Sequence, residues 1–160
     1  MSNSEAERLA ELRSIGVLDS LPEQAYDDIV ALAAFICDVP IALVSLVDEE
    51  RQWFKAKRGL TACETSRELA FCAHALTHPD SFFIVPDTLE DPRFLNNPLV
   101  TSEPFIRFYA GAPLVTAQKN VLGTLCVIDR VPRRLNSAQK VALHALSRQV
   151  VALLQTYRPS

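Results

Sequence analysis

One strand whose two faces are both apolar restricts the fold of this chain more than any other feature. Residues 40–48 read PIALVSLVD, and both alternating sets of side chains are almost entirely apolar. Such a strand belongs in a sheet that other elements cover on both faces. After a polar link, residues 52–57 alternate in character as a half-exposed strand does. Because the link is short, the two strands are predicted to be antiparallel neighbours.

The second half of the chain contains another predicted pair of strands. Residues 106–115 and 121–129 are strongly apolar, and the polar link between them indicates a hairpin. Between the two pairs, a short helix is expected at 69–77 and a short strand at 82–85. Residues 87–100 hold several prolines, aspartates and asparagines. They are therefore expected to be irregular, and a long irregular segment inside a compact domain is usually functional or a lid.

Three helices are expected outside these strands. Ser4 and Glu7 have the spacing of a capping box that begins a first helix, and Gly16 is placed to end it. A second helix is expected to begin in the segment 20–23, with its proline in the first turn. A long C-terminal helix is expected over about residues 136–157, with apolar positions at helical spacing.

The order of these elements predicts an α/β fold of the layered α+β type. Its centre is an antiparallel sheet of about five to six strands. The N- and C-terminal helices cover one face, and short helices and loops cover the other. No internal repeat or linker divides the chain, so residues 1–160 are predicted to form a single domain. Its core spans about residues 20–155, and residues 1–19 supply the N-terminal helix.

Composition restricts the partners and the compartment. The chain has 160 residues, of which 49% are hydrophobic and 22% charged, and its formal net charge is −3. This balance predicts neither a nucleic-acid nor a membrane-surface partner. The basic residues around Lys55 are expected to be solvated. No stretch approaches the ~20 apolar residues of a membrane span, and the four cysteines lack paired spacing. Reduced thiols and a cytoplasmic location are therefore predicted.

Five segments, in order, resemble the GAF domains of bacterial sensor proteins. They read PIALVSLVDEERQWFKAKRGL, ELAFCAHAL, DPRFLNNPLV, IRFYAGAPL and LGTLCVID. The resemblance covers roughly residues 7–154. It implies the GAF fold, a ligand-sized cavity between the sheet and the irregular segment, and terminal helices that often bundle in dimers. It also implies an output domain such as a histidine kinase or a diguanylate cyclase as a partner.

The resemblance, together with strand alternation, suggests which side chains would line the cavity around an unidentified small molecule. Alternation places Phe108 and Tyr109 on opposite faces of the sheet, and separates Cys126 from its neighbours in the same way. A mostly apolar cleft with a few polar groups is typical of a small-molecule site. The alternative is that these aromatic side chains simply fill a core. The candidates for the wall are Trp53, Phe71, Cys72, Phe94, Arg107, Phe108, Tyr109 and Cys126.

A charged group lies in and beside the irregular segment. Asp87 and Asp91 are expected to accept hydrogen bonds from loop amides or to pair with Arg93, which would hold the segment closed. Alternatively, an arginine such as Arg93 or Arg107 would face an anionic ligand. The structural role is the preferred interpretation.

The C-terminal helix carries an apolar stripe whose members are spaced by three and four residues. This spacing is that of a coiled-coil seam, which would support a homodimer. The same stripe could instead cover the domain's own sheet. The members of the stripe are Leu143, Leu146, Val150, Leu153 and Tyr157.

No cofactor, metal site or catalytic residue is predicted. The chain contains no zinc-ligand spacing, glycine-rich phosphate loop or nucleophile elbow. Cys72 and His74 are two residues apart, so on a helix they would not face a shared ligand. One enzymatic alternative remains, because a GAF subfamily reduces free methionine sulfoxide with reactive cysteines, and Cys63 and Cys72 lie in the corresponding segment. The main prediction is a non-catalytic sensory domain, with a dimerisation module that has a vestigial pocket as the other alternative.

Overall fold

The fold was analysed in a computed structural model that describes residues 4–158. Its centre is a six-stranded sheet in the order β3-β2-β1-β6-β5-β4, and all neighbouring strands are antiparallel. This confirms the predicted fold class. The strands are β1 (Ile41–Val47), β2 (Arg51–Arg58), β3 (Glu64–Ser66), β4 (Phe83–Val85), β5 (Phe108–Val115) and β6 (Val121–Asp129).

The helices begin and end largely as local sequence dictates. In α1, the Ser4 hydroxyl accepts from the Glu7 amide at 3.1 Å, and Gly16 ends the helix in the left-handed region at φ 78°. A glycine suits that position because it has no Cβ to clash there. The last helix begins with a second capping box, formed by Asn136 and Gln139. The helices are α1 (Glu5–Ile15), α2 (Gln24–Cys37), α3 (Pro98–Thr101) and α4 (Ser137–Gln155).

The longer helices cover one face of the sheet, which we call the helix face. Leu12 of α1, Ala33 of α2 and Val150 of α4 are fully buried against it. A Gln139 side-chain amide on α4 donates to the Ile36 carbonyl on α2 at 3.2 Å. The start of α4 therefore lies beside the end of α2, and the two helices run antiparallel.

The opposite face is covered by residues 67–78 and 86–106, which we call the roof. The roof contains α3 and three short 3-10 segments, Arg67–Leu69, Phe71–Thr77 and Thr88–Glu90. The helix predicted at 69–77 is therefore a tight 3-10 helix, and extended Ala70 separates it from the preceding turn. All seven residues of β1 are buried, as expected for a strand covered on both faces.

Two sequence predictions were wrong in detail. α2 begins at Gln24, after Pro22, because Glu23 takes the cap position and the Ser20 hydroxyl is engaged elsewhere. The β2 strand is mostly buried rather than half-exposed, and Lys55 within it is only 3% exposed. The Lys55 ammonium donates to the Ser20 hydroxyl at 2.8 Å, which connects β2 to the segment before α2. No helix within residues 4–158 is both long and apolar enough to cross a membrane.

Candidate functional site

The structure brings five of the eight predicted wall residues together beneath the roof. They share the roofed face of the sheet with the apolar side chains of β1. These five are Phe71, Cys72, Phe94, Tyr109 and Cys126.

Two of the other three wall predictions, those for Trp53 and Phe108, were wrong. Trp53 and Phe108 pack on the helix face, because their sequence neighbours Phe54 and Tyr109 are the ones that face the roof. Consecutive strand residues point to opposite faces, so the two members of each pair could not both line one cavity. Arg107 precedes β5, and its guanidinium donates to the Val100 carbonyl at 2.8 Å within the roof.

Aromatic rings fill the space where the resemblance implied a cavity. The Phe71 and Phe94 rings stack with centroids 4.2 Å apart and an interplanar angle of 10°. The Tyr109 ring lies 5.1 Å from that of Phe71, and the Phe83 ring lies 5.9 Å from that of Phe94. Phe71, Phe94 and Tyr109 are each 2% exposed. In this arrangement the rings therefore act as core, which was the alternative interpretation of these aromatics.

A buried polar group lies beneath the aromatic rings. The Gln52 side-chain carbonyl accepts from the Ser45 hydroxyl at 2.9 Å and from the Cys72 thiol. The Gln52 amide nitrogen donates to the Thr65 hydroxyl. These contacts satisfy polar atoms that would otherwise be costly to bury. The floor of the roofed face therefore offers both donors and acceptors.

Sequence reasoning missed Ser45, Gln52 and Thr124 as members of this face. Thr124 pairs with Ser45 across β1 and β6, and its hydroxyl lies 3.2 Å from the Tyr109 hydroxyl. For Ser45 and Thr124 the available signal was a polar residue inside an otherwise apolar strand, whereas Gln52 lies in a strand with several charged residues and carried no such signal. Such interruptions are informative because a buried polar side chain requires a partner.

The cysteines beneath the roof are poorly suited to attack a substrate. Burial raises the pKa of the Cys72 thiol to about 11 and that of Cys126 to about 12. Both thiols are therefore protonated near neutral pH, whereas the thiolate is the nucleophile. Cys63 is exposed, and its sulfur lies 3.4 Å from the Lys57 ammonium. This geometry disfavours Cys72 as the nucleophile of a sulfoxide reductase.

The predicted charge group holds the roof together locally. Asp87 caps a 3-10 turn by accepting from the Leu89 amide at 3.0 Å. Asp91 accepts from both the backbone and the guanidinium of Arg93, with a shortest distance of 2.7 Å. The side-chain hydrogen bond from Arg93 lowers the pKa of Asp91. The Arg93 guanidinium also lies over the Phe83 ring, at 5.1 Å from its centroid. These contacts match the structural interpretation of the group.

The apolar stripe of α4 that was predicted to form a dimer seam packs against the core of the domain itself. Leu143 and Val150 are buried in the core of the helix face, and Leu146, Leu153 and Tyr157 pack against that core while half-buried. The seam prediction was therefore wrong for Leu143 and Val150, because α4 packs on α2 and on the sheet through this stripe.

A different apolar surface is exposed on α2. The Leu32 side chain is 50% exposed and that of Phe35 is 82% exposed. The two residues are three positions apart on one helix, so they lie on the same side of it. Periodicity predicted a buried position for Leu32, which was wrong, because α2 is apolar around much of its circumference.

Comparisons with known proteins agree with this architecture. The model of the GAF domain family matches residues 21–154. The chain is 44% identical over 155 residues to a cyclic di-GMP phosphodiesterase of Pseudomonas aeruginosa. That alignment covers 96% of this chain but only 26% of the relative, so the chain spans about a quarter of the relative's length.

Two solved structures show the shared fold. The GAF domain of a phosphoenolpyruvate-protein phosphotransferase from Acinetobacter superposes with a TM-score of 0.68 at 20% identity, covering 96% of this chain and 95% of that one. A type II free methionine-R-sulfoxide reductase from Thermoplasma acidophilum superposes with a TM-score of 0.62 at 12% identity, covering 83% and 94%. At such identities the likeness concerns the fold alone. The family match and the layered sheet together establish that this chain belongs to the GAF domain family.

Proposed function

We propose that this chain is a non-catalytic regulatory domain that acts on an output domain in a bacterial signalling protein. The observation that carries the proposal is the match to a part of a larger enzyme. Nearly the whole chain aligns at 44% identity with about a quarter of a cyclic di-GMP phosphodiesterase. The raised pKa values of Cys72 and Cys126 also argue against thiolate chemistry beneath the roof. The partner proposed here is a nucleotide-signalling or histidine kinase output domain.

A chimeric enzyme tests this proposal. This chain would replace the matching segment of the Pseudomonas phosphodiesterase, and cyclic di-GMP hydrolysis would be measured. We expect the chimera to retain activity and the isolated chain to have none. The control places the Acinetobacter GAF domain, which has the same fold at lower identity, in the same position. Hydrolysis by the isolated chain, or a chimera no more active than the control, would contradict the proposal.

We further propose that the small-molecule site beneath the roof is latent and is filled by the chain's own Phe94 ring. Phe94 belongs to the roof, whereas Tyr109, Gln52 and Ser45 belong to the sheet. Movement of the roof would therefore remove one wall and leave an apolar site with several polar groups on its floor. Such a composition is typical of small-molecule sites. A ligand would stabilise the open arrangement only by binding it more tightly than the closed one.

The homodimer interface that we propose is the exposed face of α2, rather than the predicted seam on α4. Phe35, at 82% exposure, and Leu32, at 50%, would be covered by a second copy of the chain. This surface also supports the alternative function, a dimerisation module whose pocket is vestigial, because the rings fill the roofed face.

Sedimentation analysis of Phe35→Glu tests the dimer. We expect the wild-type chain to sediment as a dimer and the variant to sediment near the monomer mass of 17.8 kDa, because a charge placed at the centre of an apolar interface would be desolvated without a partner. Leu95→Glu, at a residue 44% exposed on the roof, is the control. A monomeric wild-type chain, or equal effects of the two substitutions, would rule out this interface.

A further inference from the structure

A second groove lies at the edge of the helix face, outside the site beneath the roof. Its volume is about 380 Å³. It runs between α4 and the edge of the sheet, where β4 pairs with β5 only at Tyr109, Ala110 and Gly111. Within the described chain, the remainder of β5 therefore has no strand partner on that side. Residues 79–82 pass beside this open edge and form one wall of the groove.

The floor of the groove is apolar. Phe82, Val115 and Val151 are each half-buried and line it from three different segments. The His144 ring meets the Phe82 ring edge-on, with centroids 5.9 Å apart and an interplanar angle of 83°. An aromatic or aliphatic group entering the groove would bury further apolar surface on this floor.

The rim of the groove carries unmatched charge. Lys119 and Arg148 are exposed on it, and Asp80 is the only carboxylate among the lining residues. None of these three side chains makes a hydrogen bond or an ion pair with another residue of the described part of the chain. Two permanent cations and one carboxylate leave the rim with a net charge of +1 (two minus one), although the whole chain has a net charge of −3.

We propose that this groove binds a small amphipathic monocarboxylate. The apolar body would lie on Phe82 and Val151, and the carboxylate would accept hydrogen bonds from Arg148 and Lys119. A guanidinium presents two parallel donors that match the two oxygens of a carboxylate. The excess positive charge favours an anion over a neutral molecule of the same shape. The site is independent of the proposed ligand site under the roof, because the two lie on opposite faces of the sheet.

Such a ligand would contact the sheet edge and the last helix at once. His144, Arg148 and Val151 all belong to α4, whereas Val115 belongs to β5. A bound carboxylate would therefore stabilise the packing of α4 against the edge of the sheet. Binding of the carboxylate would therefore change the packing of α4 and not that of the roof.

Titration of the full chain with cinnamate, followed by two-dimensional amide NMR, tests the proposal. The matched probe is cinnamamide, which has the same apolar body without the charge. We expect saturable shifts for the amides of residues 112, 114–116 and 147–151, and binding of cinnamamide weaker by about tenfold or more. Arg148→Gln should weaken cinnamate binding by a similar factor. Arg134→Gln, at an exposed arginine outside the groove, should leave it unchanged.

Several results would overturn the inference. They are the absence of saturable shifts, shifts confined to the roof, equal binding of the two probes, and equal effects of the two arginine substitutions. The amide spectrum of each variant reports directly whether it is folded. These outcomes are separate from those of the chimera and sedimentation experiments, neither of which depends on the groove.

Discussion

Lys55 occupies an environment that a lysine side chain seldom tolerates. Its side chain is completely buried, yet its ammonium donates to the Ser20 hydroxyl, the Leu21 carbonyl and the Glu23 carboxylate. It also lies 5.1 Å from the ring centroid of Tyr26 and 5.4 Å from that of Tyr157. These contacts compensate for the lost hydration of the charge. They also connect the segment before α2 to the residue that follows α4.

Lys55→Met should destabilise the domain by about 2 kcal/mol, because it leaves oxygens of the segment 20–23 without their donor. Chemical denaturation at neutral pH measures the change in the free energy of unfolding. Lys140→Met, at an exposed position on α4, is the matched control and should change stability by less than about 0.5 kcal/mol. Equal losses in the two variants would show that the Lys55 contacts contribute nothing specific.

The four cysteines should differ sharply in reactivity. Cys63 is exposed, whereas Cys37, Cys72 and Cys126 are buried. Burial also raises the pKa of Cys37 to about 11. A disulfide reagent at neutral pH should therefore modify one thiol quickly in the native chain and the other three only on unfolding. Cys63→Ser should abolish the fast phase. A second fast thiol in the native protein would contradict the assigned burial.

At the scale of elements, charged contacts anchor α1 to the sheet. Arg8 is 4% exposed, and its guanidinium donates to the Val47 carbonyl at 2.7 Å while forming a two-point contact with Glu5. Glu5 also accepts from Arg67 of the roof at 2.7 Å. The Glu5 carboxylate of α1 therefore pairs with two arginines. One is Arg8, whose guanidinium also donates to the sheet, and the other is Arg67 of the roof.

This contact predicts a pH dependence of stability. The hydrogen bond from Arg8, assisted by Arg67, lowers the pKa of Glu5 from 4.5 to about 2. A lowered pKa in the folded state contributes stability above the unfolded value, and this contribution is lost as the pH falls through the folded value. The stability difference between wild type and Glu5→Gln should therefore be present at neutral pH and vanish between 4.5 and about 2.

The magnitude of this difference should stay below about 1 kcal/mol, because the Glu5 side chain is 45% exposed and solvent screens the pair. Urea denaturation at neutral pH and at two acidic values gives the free energies of unfolding. Glu90→Gln, at an exposed residue of the roof, controls for general acid effects. A difference that grows as the pH falls would have the wrong sign for this mechanism.

The elements that sequence predicted well are those whose signal is local. The apolar run of β1, the capping box at Ser4 and the helix start at Asn136 each depend on residues within a few positions of one another. The roof depends on distant contacts, such as the stacking of Phe71 on Phe94. No periodicity within residues 87–100 encodes that contact.

Site residues were harder to predict, for the same physical reason. Alternation shows that Phe108 and Tyr109 oppose each other, but it does not show which one meets the helices. That choice is set by how the sheet packs, and Phe108 packs against the helices. The apolar stripe of α4 was similarly ambiguous, since Leu143 would satisfy either a partner chain or the domain's own core. Only the position of α2 decides between them.

At the scale of the whole molecule, both faces of the sheet are packed, but by elements of different character. Long helices cover one face, and the roof of short turns covers the other. Segments with little regular structure are the ones that open at low cost in free energy. We therefore propose that a ligand enters through the roof and that two copies of the chain dimerise through the helix layer.

The central claim is that Phe94 occupies the place of a ligand beneath the roof. Phe94→Ala should cost about 3–5 kcal/mol and leave an apolar void beside Phe71 and Phe83. The measurement is the melting temperature of the variant and of the wild type with and without saturating indole, after near-UV circular dichroism has shown that the variant is folded. Phe94→Leu, which removes fewer atoms, is the second variant.

Indole should raise the melting temperature of Phe94→Ala by about 2–4 °C, because it binds the folded state alone and fills the void. It should stabilise Phe94→Leu less and the wild type least. The same stabilisation of all three proteins, or none of Phe94→Ala, would contradict the claim that a ligand site lies under the Phe94 ring.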